Sequence, residues 1–158
     1  VADGAIIESG TWSLQSHRDA HLGERPSKLY AAIIEAHGRH RLDRIAFEDA
    51  SFGSHQASVQ AFHNQLRGII MLAAYNLGPL ACIALSIGTV KKFATGSGNA
   101  KKDQMIAACR THFGIDPIDS NEADAIFVAK LAEHEHAAKQ RRIKRARTEP
   151  KIVQEKLF

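Results

Sequence analysis

No run of the 158 residues approaches the roughly 18 consecutive apolar positions that a membrane-spanning helix needs. The opening VADGAIIESG has neither a basic region nor an apolar signal core, so the sequence predicts a cytoplasmic protein with no membrane partner. Only two cysteines are present, Cys82 and Cys109, each within an apolar run, which excludes a disulfide framework and predicts two buried thiols. Four prolines and 11 glycines are too few for collagen or a disordered chain, and there is neither an internal repeat nor a low-complexity stretch. A GxxxxGK[ST] loop is missing, which argues against a nucleotide triphosphatase. Nine histidines are present, but His17 with His21 and His134 with His136 have no third ligand at zinc spacing and read as solvated side chains.

What remains is a composition of 44% apolar and 24% charged residues, the balance of one ordinary domain. Its charge is uneven. Eight basic and two acidic residues between Lys139 and Phe158 put +6 on that segment, against +4 overall, and leave −2 on residues 1–138. The reading is a near-neutral body over 1–138 and a basic arm or helix extension over 139–158. Within the arm, Arg141, Arg142, Lys144 and Arg145 suit a salt-sensitive grip on nucleic-acid phosphates, and a solubilising tail is the plainer alternative.

Periodicity predicts an α/β chain. Ala5 to Leu14 is β-prone, with Asp3-Gly4 as a turn before it, and implies an antiparallel strand whose partner lies upstream. Pro26 and Ser27 open a helix closed by Gly38. Arg44 to Phe47 forms a buried strand ending on Glu48. Val59, Phe62, Leu66, Ile69 and Ala73 alternate at three and four over a helix from about Ser54 to Leu77, whose apolar face should pack on a sheet. A second buried strand spans Leu80 to Ile87, a Gly/Lys-rich stretch runs from Gly88 to Lys102, and helices follow over about Ala100–Phe113 and Asn121–His134.

Two acids break these patterns. At about 100° per residue from Ala123, Phe127 lies near 40°, Leu131 near 80°, Asp124 near 100° and Val128 near 140°, so Asp124 sits inside the apolar stripe. A buried carboxylate needs a cation, a strong hydrogen-bond set or a raised pKa. Asn121, near 160°, stands beside it as a co-ligand, whereas Glu122, near 260°, should face away. A simple cap, or a pairing with lysine at the helix start, is the competing role for Asp124. Glu48 ends a buried strand at the edge where α/β sheets place ligand sites. If both acids converge, hard oxygen ligands suit Mg2+ or Mn2+, and two such ions can clamp the attacking and leaving oxygens of a phosphodiester. An exposed strand-end acid is the plain alternative for Glu48. The stretch VKKFATGSGNAKK, residues 90–102, offers Lys91, Lys92, Lys101 and Lys102 around two glycines, suited to a phosphate backbone or to a solvated turn.

Three ordered segments carry a family resemblance: Phe47-Glu48 ending a strand, Val90-Lys91 spaced to Lys102 with TGSGNAKK between, and NEADA at 121–125 opening a helix. Together they resemble the RuvC family of Holliday-junction resolvases, ribonuclease H-like nucleases, over roughly residues 1–134. The resemblance implies a mixed sheet flanked by helices, metal-dependent hydrolysis of branched DNA, and a homodimer with the 54–77 helix at its interface. It implies metal-binding roles for Glu48 and Asp124. Asn121 stands where the family carries Asp or His, and Asp119, just before the helix, is a substitute for it. Lys91 and Lys102 match the lysines near the scissile phosphate, and Phe52 matches an aromatic that stacks on a junction base. The family's first strand bears a further metal-bridging Asp that these 158 residues do not contain, so the resemblance implies a chain that, as it stands, is inactive or nearly so. A non-catalytic DNA-binding module of the same fold, and a ribonuclease H-like nuclease for another nucleic acid, are the alternative readings.

Overall fold

The computed structural model describes residues 4–17, 21–49, 57–78 and 80–148. Their elements, in chain order, are α1 (Glu24–His40), β1 (Arg44–Asp49), α2 (Ala57–Asn76), β2 (Ala81–Ser86), α3 (Ile87–Thr95), α4 (Lys102–Phe113) and α5 (Ser120–Thr148). The α/β expectation holds, and no helix among the described residues is long and apolar enough to cross a membrane.

β1 and β2 pair in parallel, with Ile45 opposite Cys82 and Glu48 opposite Leu85. Alternation along β1 sends its side chains to two cores. Ala46 packs on the larger one, built from α3, α4, α5 and Leu85, where Phe127, Met105, Cys109 and Val90 are fully buried. Ile45 packs on the smaller one, where Leu29 and Ile33 of α1 meet Ala73 of α2. The apolar stripe of α2 therefore closes mainly on α1 and touches the sheet less than its spacing suggested.

Several boundaries move. Residues 6–14 form no strand: only Ala5 makes a bridge, and no strand pairs with the segment among the described residues. β-prone residues become a strand only where a neighbour satisfies their backbone groups. The segment is instead held by side chains: Lys130 Nζ donates to the Gly4 carbonyl at 2.8 Å, the Gly4 N–H donates to Glu133 at 2.8 Å, and Glu8 pairs with Arg39 and His40 of α1. With that strand absent, the sheet among the described residues is purely parallel rather than mixed. Helix α1 runs through Gly38 and stops at Arg41, which adopts φ 50° and donates its N–H to His37. Of the two thiols expected to be buried, Cys109 is, in the larger core, whereas Cys82 is exposed on β2. The Gly/Lys stretch is not one loop. Ser86 accepts the Thr89 N–H and caps a helix that buries Val90 and Ala94 and ends at Gly96, φ 81°. α5 continues to Thr148, and from Lys139 to Arg145 every residue is exposed. The predicted start of α2 at Ser54, and Asp3, Phe52 and Pro79, lie outside the described residues.

Candidate functional site

Glu48 is the second-last residue of β1, on the same face as Ala46 and so on the side of α5. Asp124 lies in the first turns of α5, beside Ala123, Phe127 and Val128, all buried. The fold brings the two carboxylates within electrostatic range of each other, and both are held above the ordinary carboxylate range. For Glu48 the main cause is burial, followed by the charge of Asp124, with His63 and Lys91 acting in the opposite direction. For Asp124 it is burial, opposed by Lys91 and then Lys102. The Oδ1 atom of Asp124 is buried without a hydrogen-bond partner. An anionic oxygen in that position costs free energy unless a cation or a proton meets it.

The two lysines arrive from different elements. Lys91 is half-buried on α3, and Lys102 is the first residue of α4. Between them the chain reverses at Gly96 and passes close over the start of α3. A Cβ on Gly98 would lie 3.3 Å from the Gly88 carbonyl oxygen, so a larger residue there would require the backbones to move apart by a few tenths of an ångström. Gln104 then accepts the Lys101 N–H at 2.8 Å, fixing the entry to α4. Lys92 and Lys101 are exposed.

At the start of α5, Asp119 accepts the N–H groups of Asn121 at 2.9 Å and Glu122 at 2.8 Å, an N-terminal cap. Asn121 is exposed, and its amide leans on the other oxygen of Asp119 at 3.4 Å. Glu122 does not face away. It is 5% exposed and accepts the Ile118 N–H at 2.7 Å. A helical wheel gives a position on the cylinder, whereas the 115–119 segment folds over that side and covers it. Glu122 and Asp124 add to burial in pushing the Cys109 thiol up to about 11, so this thiol is inert at neutral pH.

The expected residues Glu48, Asp124, Lys91 and Lys102 thus converge, while Asp119 and Asn121 engage each other at the helix cap. Among the described residues, no three His, Cys, Asp or Glu side chains form a metal-binding cluster. The pair fits a divalent cation in part: two oxygen donors, one of them orphaned, with repulsion to relieve. Sequence reasoning missed His63, which faces the end of β1 from α2, because it lies one residue off the apolar stripe and has no ligand at a diagnostic spacing. It also missed the Arg67–Asp49 pair at 3.4 Å, which ties α2 to the same strand end.

The sequence pattern of the family described as crossover junction endodeoxyribonuclease RuvC matches residues 5–131. A crossover junction endodeoxyribonuclease RuvC of Anaeromyxobacter sp. (strain Fw109-5) is 30% identical over 124 residues, covering 78% of this chain and 58% of its own. One from Chromohalobacter salexigens is also 30% identical over 124 residues, covering 78% of this chain and 64% of its own. The chain therefore spans about three fifths of these relatives' length. Among solved structures, T. thermophilus RuvC in complex with a Holliday junction substrate superposes with a TM-score of 0.65 at 23% identity, covering 75% of this chain and 76% of the other. A second Thermus thermophilus RuvC structure gives 0.61 at 24%, covering 73% and 70%. These likenesses show a ribonuclease H-like fold.

Proposed function

Since this chain belongs to the RuvC family of crossover junction endodeoxyribonucleases, we propose that it is a divalent-metal-dependent nuclease that hydrolyses phosphodiesters at four-way junctions in DNA. The observation that carries the reading is the convergence of Glu48 and Asp124, both raised by burial, with Lys91 and Lys102 beside them. When bound, a divalent ion supplies Lewis acidity and a more acidic water. Glu48 and Asp124 are the residues that would hold it, and an all-oxygen pair suits Mg2+ or Mn2+. Lys91 and Lys102 direct positive charge at phosphate oxygens that gain negative charge in the transition state. Asn121 and Asp119 support the α5 terminus first, and contribute oxygen ligands only if their mutual bonds open.

In this reading residues 1–138 form the nuclease body and 139–158 a basic arm. Lys92, Lys101, Arg141, Arg142, Lys144 and Arg145 would steer the phosphate backbone, and Phe52 would stack on a base at the branch point. A homodimer would place two sites on a two-fold junction, with α2 as the contact. Exposed Met71, Leu72 and Tyr75 on that helix support it.

The test is cleavage of an end-labelled synthetic four-way junction in Mg2+ by this chain joined to an upstream strand that carries the family's metal-bridging Asp. Lys91→Met should lower the rate on the order of 10²-fold, and Glu48→Gln should abolish it; cleavage unchanged by Glu48→Gln overturns the assignment. The lack of a third ligand among the described residues favours one other reading, a junction-binding module without catalysis. That module would hold junction DNA without cutting it, and Mg2+ titration would neither trigger cleavage nor raise its melting temperature.

A further inference from the structure

A second cluster lies away from the carboxylates, in an open groove between α3 and α5. Its rim carries three cations, Lys92, Lys139 and Arg142, against one acid, Glu135, and its floor is Phe93 with His134. Along α5 the groove begins about 10 Å beyond Asp124, at Leu131, and reaches about 27 Å, at Arg142. Phe93 is 41% exposed, and its neighbours keep it from turning inward. The buried Phe127 meets it edge-on at 6.5 Å and 80°, and the His134 ring tilts against it at 5.9 Å. The two sites are adjacent along α3: Lys91 acts on Asp124, and the next residue, Lys92, lines the groove.

We propose that the α3–α5 groove binds a stretch of DNA strand left unpaired beside the branch point, with an unpaired base stacked on Phe93 and the flanking phosphates held by Lys92, Lys139 and Arg142. This rests on the nucleic-acid reading above and gives it a strand-selective exosite. A cationic groove paved with an aromatic ring is the chemistry that grips single strands, because every unpaired base has a face to stack and a charge on either side. A duplex arm would use only the cations. Its bases are already stacked, and an exposed Phe would gain nothing from it.

The test is fluorescence anisotropy in EDTA, where cleavage is blocked, using labelled dT12 and a blunt duplex of equal length. Wild type should prefer dT12. Phe93→Leu, which keeps an apolar side chain there, should weaken dT12 binding by about 5-fold to 150-fold and leave duplex binding within about 2-fold. Lys139→Ala with Arg142→Ala should flatten the salt dependence for dT12 by about 0.7 in log-log slope per lost cation. In Phe93→Trp, the added indole emission should be quenched by dT12 and not by duplex, over the constant background of Trp12. No binding of dT12, equal affinity for both DNAs, or a Phe93→Leu effect that is absent or equal on both overturns the proposal. None of these readouts uses a metal. Loss of junction cleavage with dT12 binding intact would therefore count against the nuclease reading alone.

Discussion

At the scale of single residues, Glu48 is exposed at its strand end and Asp124 is half-buried, yet each is raised by local desolvation and they lie within electrostatic range of each other, and the sign of their linkage follows. Both pKa values lie above their unfolded values, so the folded chain binds more protons than the unfolded chain between the two. Their contribution to stability is best below the ordinary carboxylate range and is lost as pH rises through the raised values. At neutral pH without metal, each is a liability. Asp124→Asn should therefore raise the melting temperature of the metal-free protein by a few degrees, on a scale of about 2–4 °C per kcal/mol, with Glu48→Gln, at a solvent-screened position, doing less, and both should flatten its decline above the ordinary carboxylate range. Addition of Mn2+ should reverse the order. Wild type gains about 2.7 kcal/mol at 100 times the dissociation constant, and the variants gain little. Differential scanning calorimetry with and without Mn2+ checks both halves. A metal-free Asp124→Asn variant less stable than wild type at pH 7 would remove the electrostatic argument.

At the scale of elements, the site depends on how helices begin and end. Asp119 holds the first turn of α5 with two backbone hydrogen bonds, and that turn carries Asp124. Asp119→Ala should cost about 1 kcal/mol, a typical N-cap loss, read as a lowered urea midpoint with an unchanged slope. Gly96 ends α3 at φ 81° with open space around it, so Gly96→Ala meets no clash and carries only backbone strain, about 1–2 kcal/mol. The same change would disturb the reversal between Lys91 and Lys102, both of which act on Asp124, so junction cleavage should fall further than stability alone accounts for. Comparing rates at a temperature where both proteins remain folded separates the two effects. Ser86 supplies the signal by which α3 could have been read from sequence, as a cap three residues before Thr89. The glycines at 88, 96 and 98 masked it, because their frequency suggests a loop while only Gly96 acts as a stop.

At the scale of the whole molecule, two cores on opposite faces of the parallel sheet, two-stranded among the described residues, present the strand end between them. The larger core depends on Phe127, packed 5.3 Å from the Phe113 ring and 1% exposed. Phe127→Ala should cost about 3–5 kcal/mol, and it would release both Asp124 and the floor of the α3–α5 groove. The exposed face of α2 bears on assembly. If it is the dimer contact, Met71→Glu with Tyr75→Glu should leave helical content intact and convert the sedimenting species from dimer to monomer. An unchanged sedimentation coefficient places the contact elsewhere.

The local rules were enough for much of this chain. Three-four periodicity marked α2 and the start of α5, apolar runs marked β1 and β2, and a carboxylate inside a helical stripe singled out Asp124, because burying charge is costly wherever it happens. Order along the chain, Glu48 then Lys91 to Lys102 then Asp124, was also legible. What only the tertiary structure decided was which groups meet and which are covered. Residues 6–14 are strand-like in type but unpaired among the described residues, and Cys82 sits in an apolar run but stays exposed. Glu122 lies on the outer side of its helix but is buried under the 115–119 segment, and Phe93 and His134 meet from α3 and α5. Each outcome depends on a neighbour distant in sequence, and backbone pairing, burial and ring contact are properties of that neighbour as much as of the residue itself.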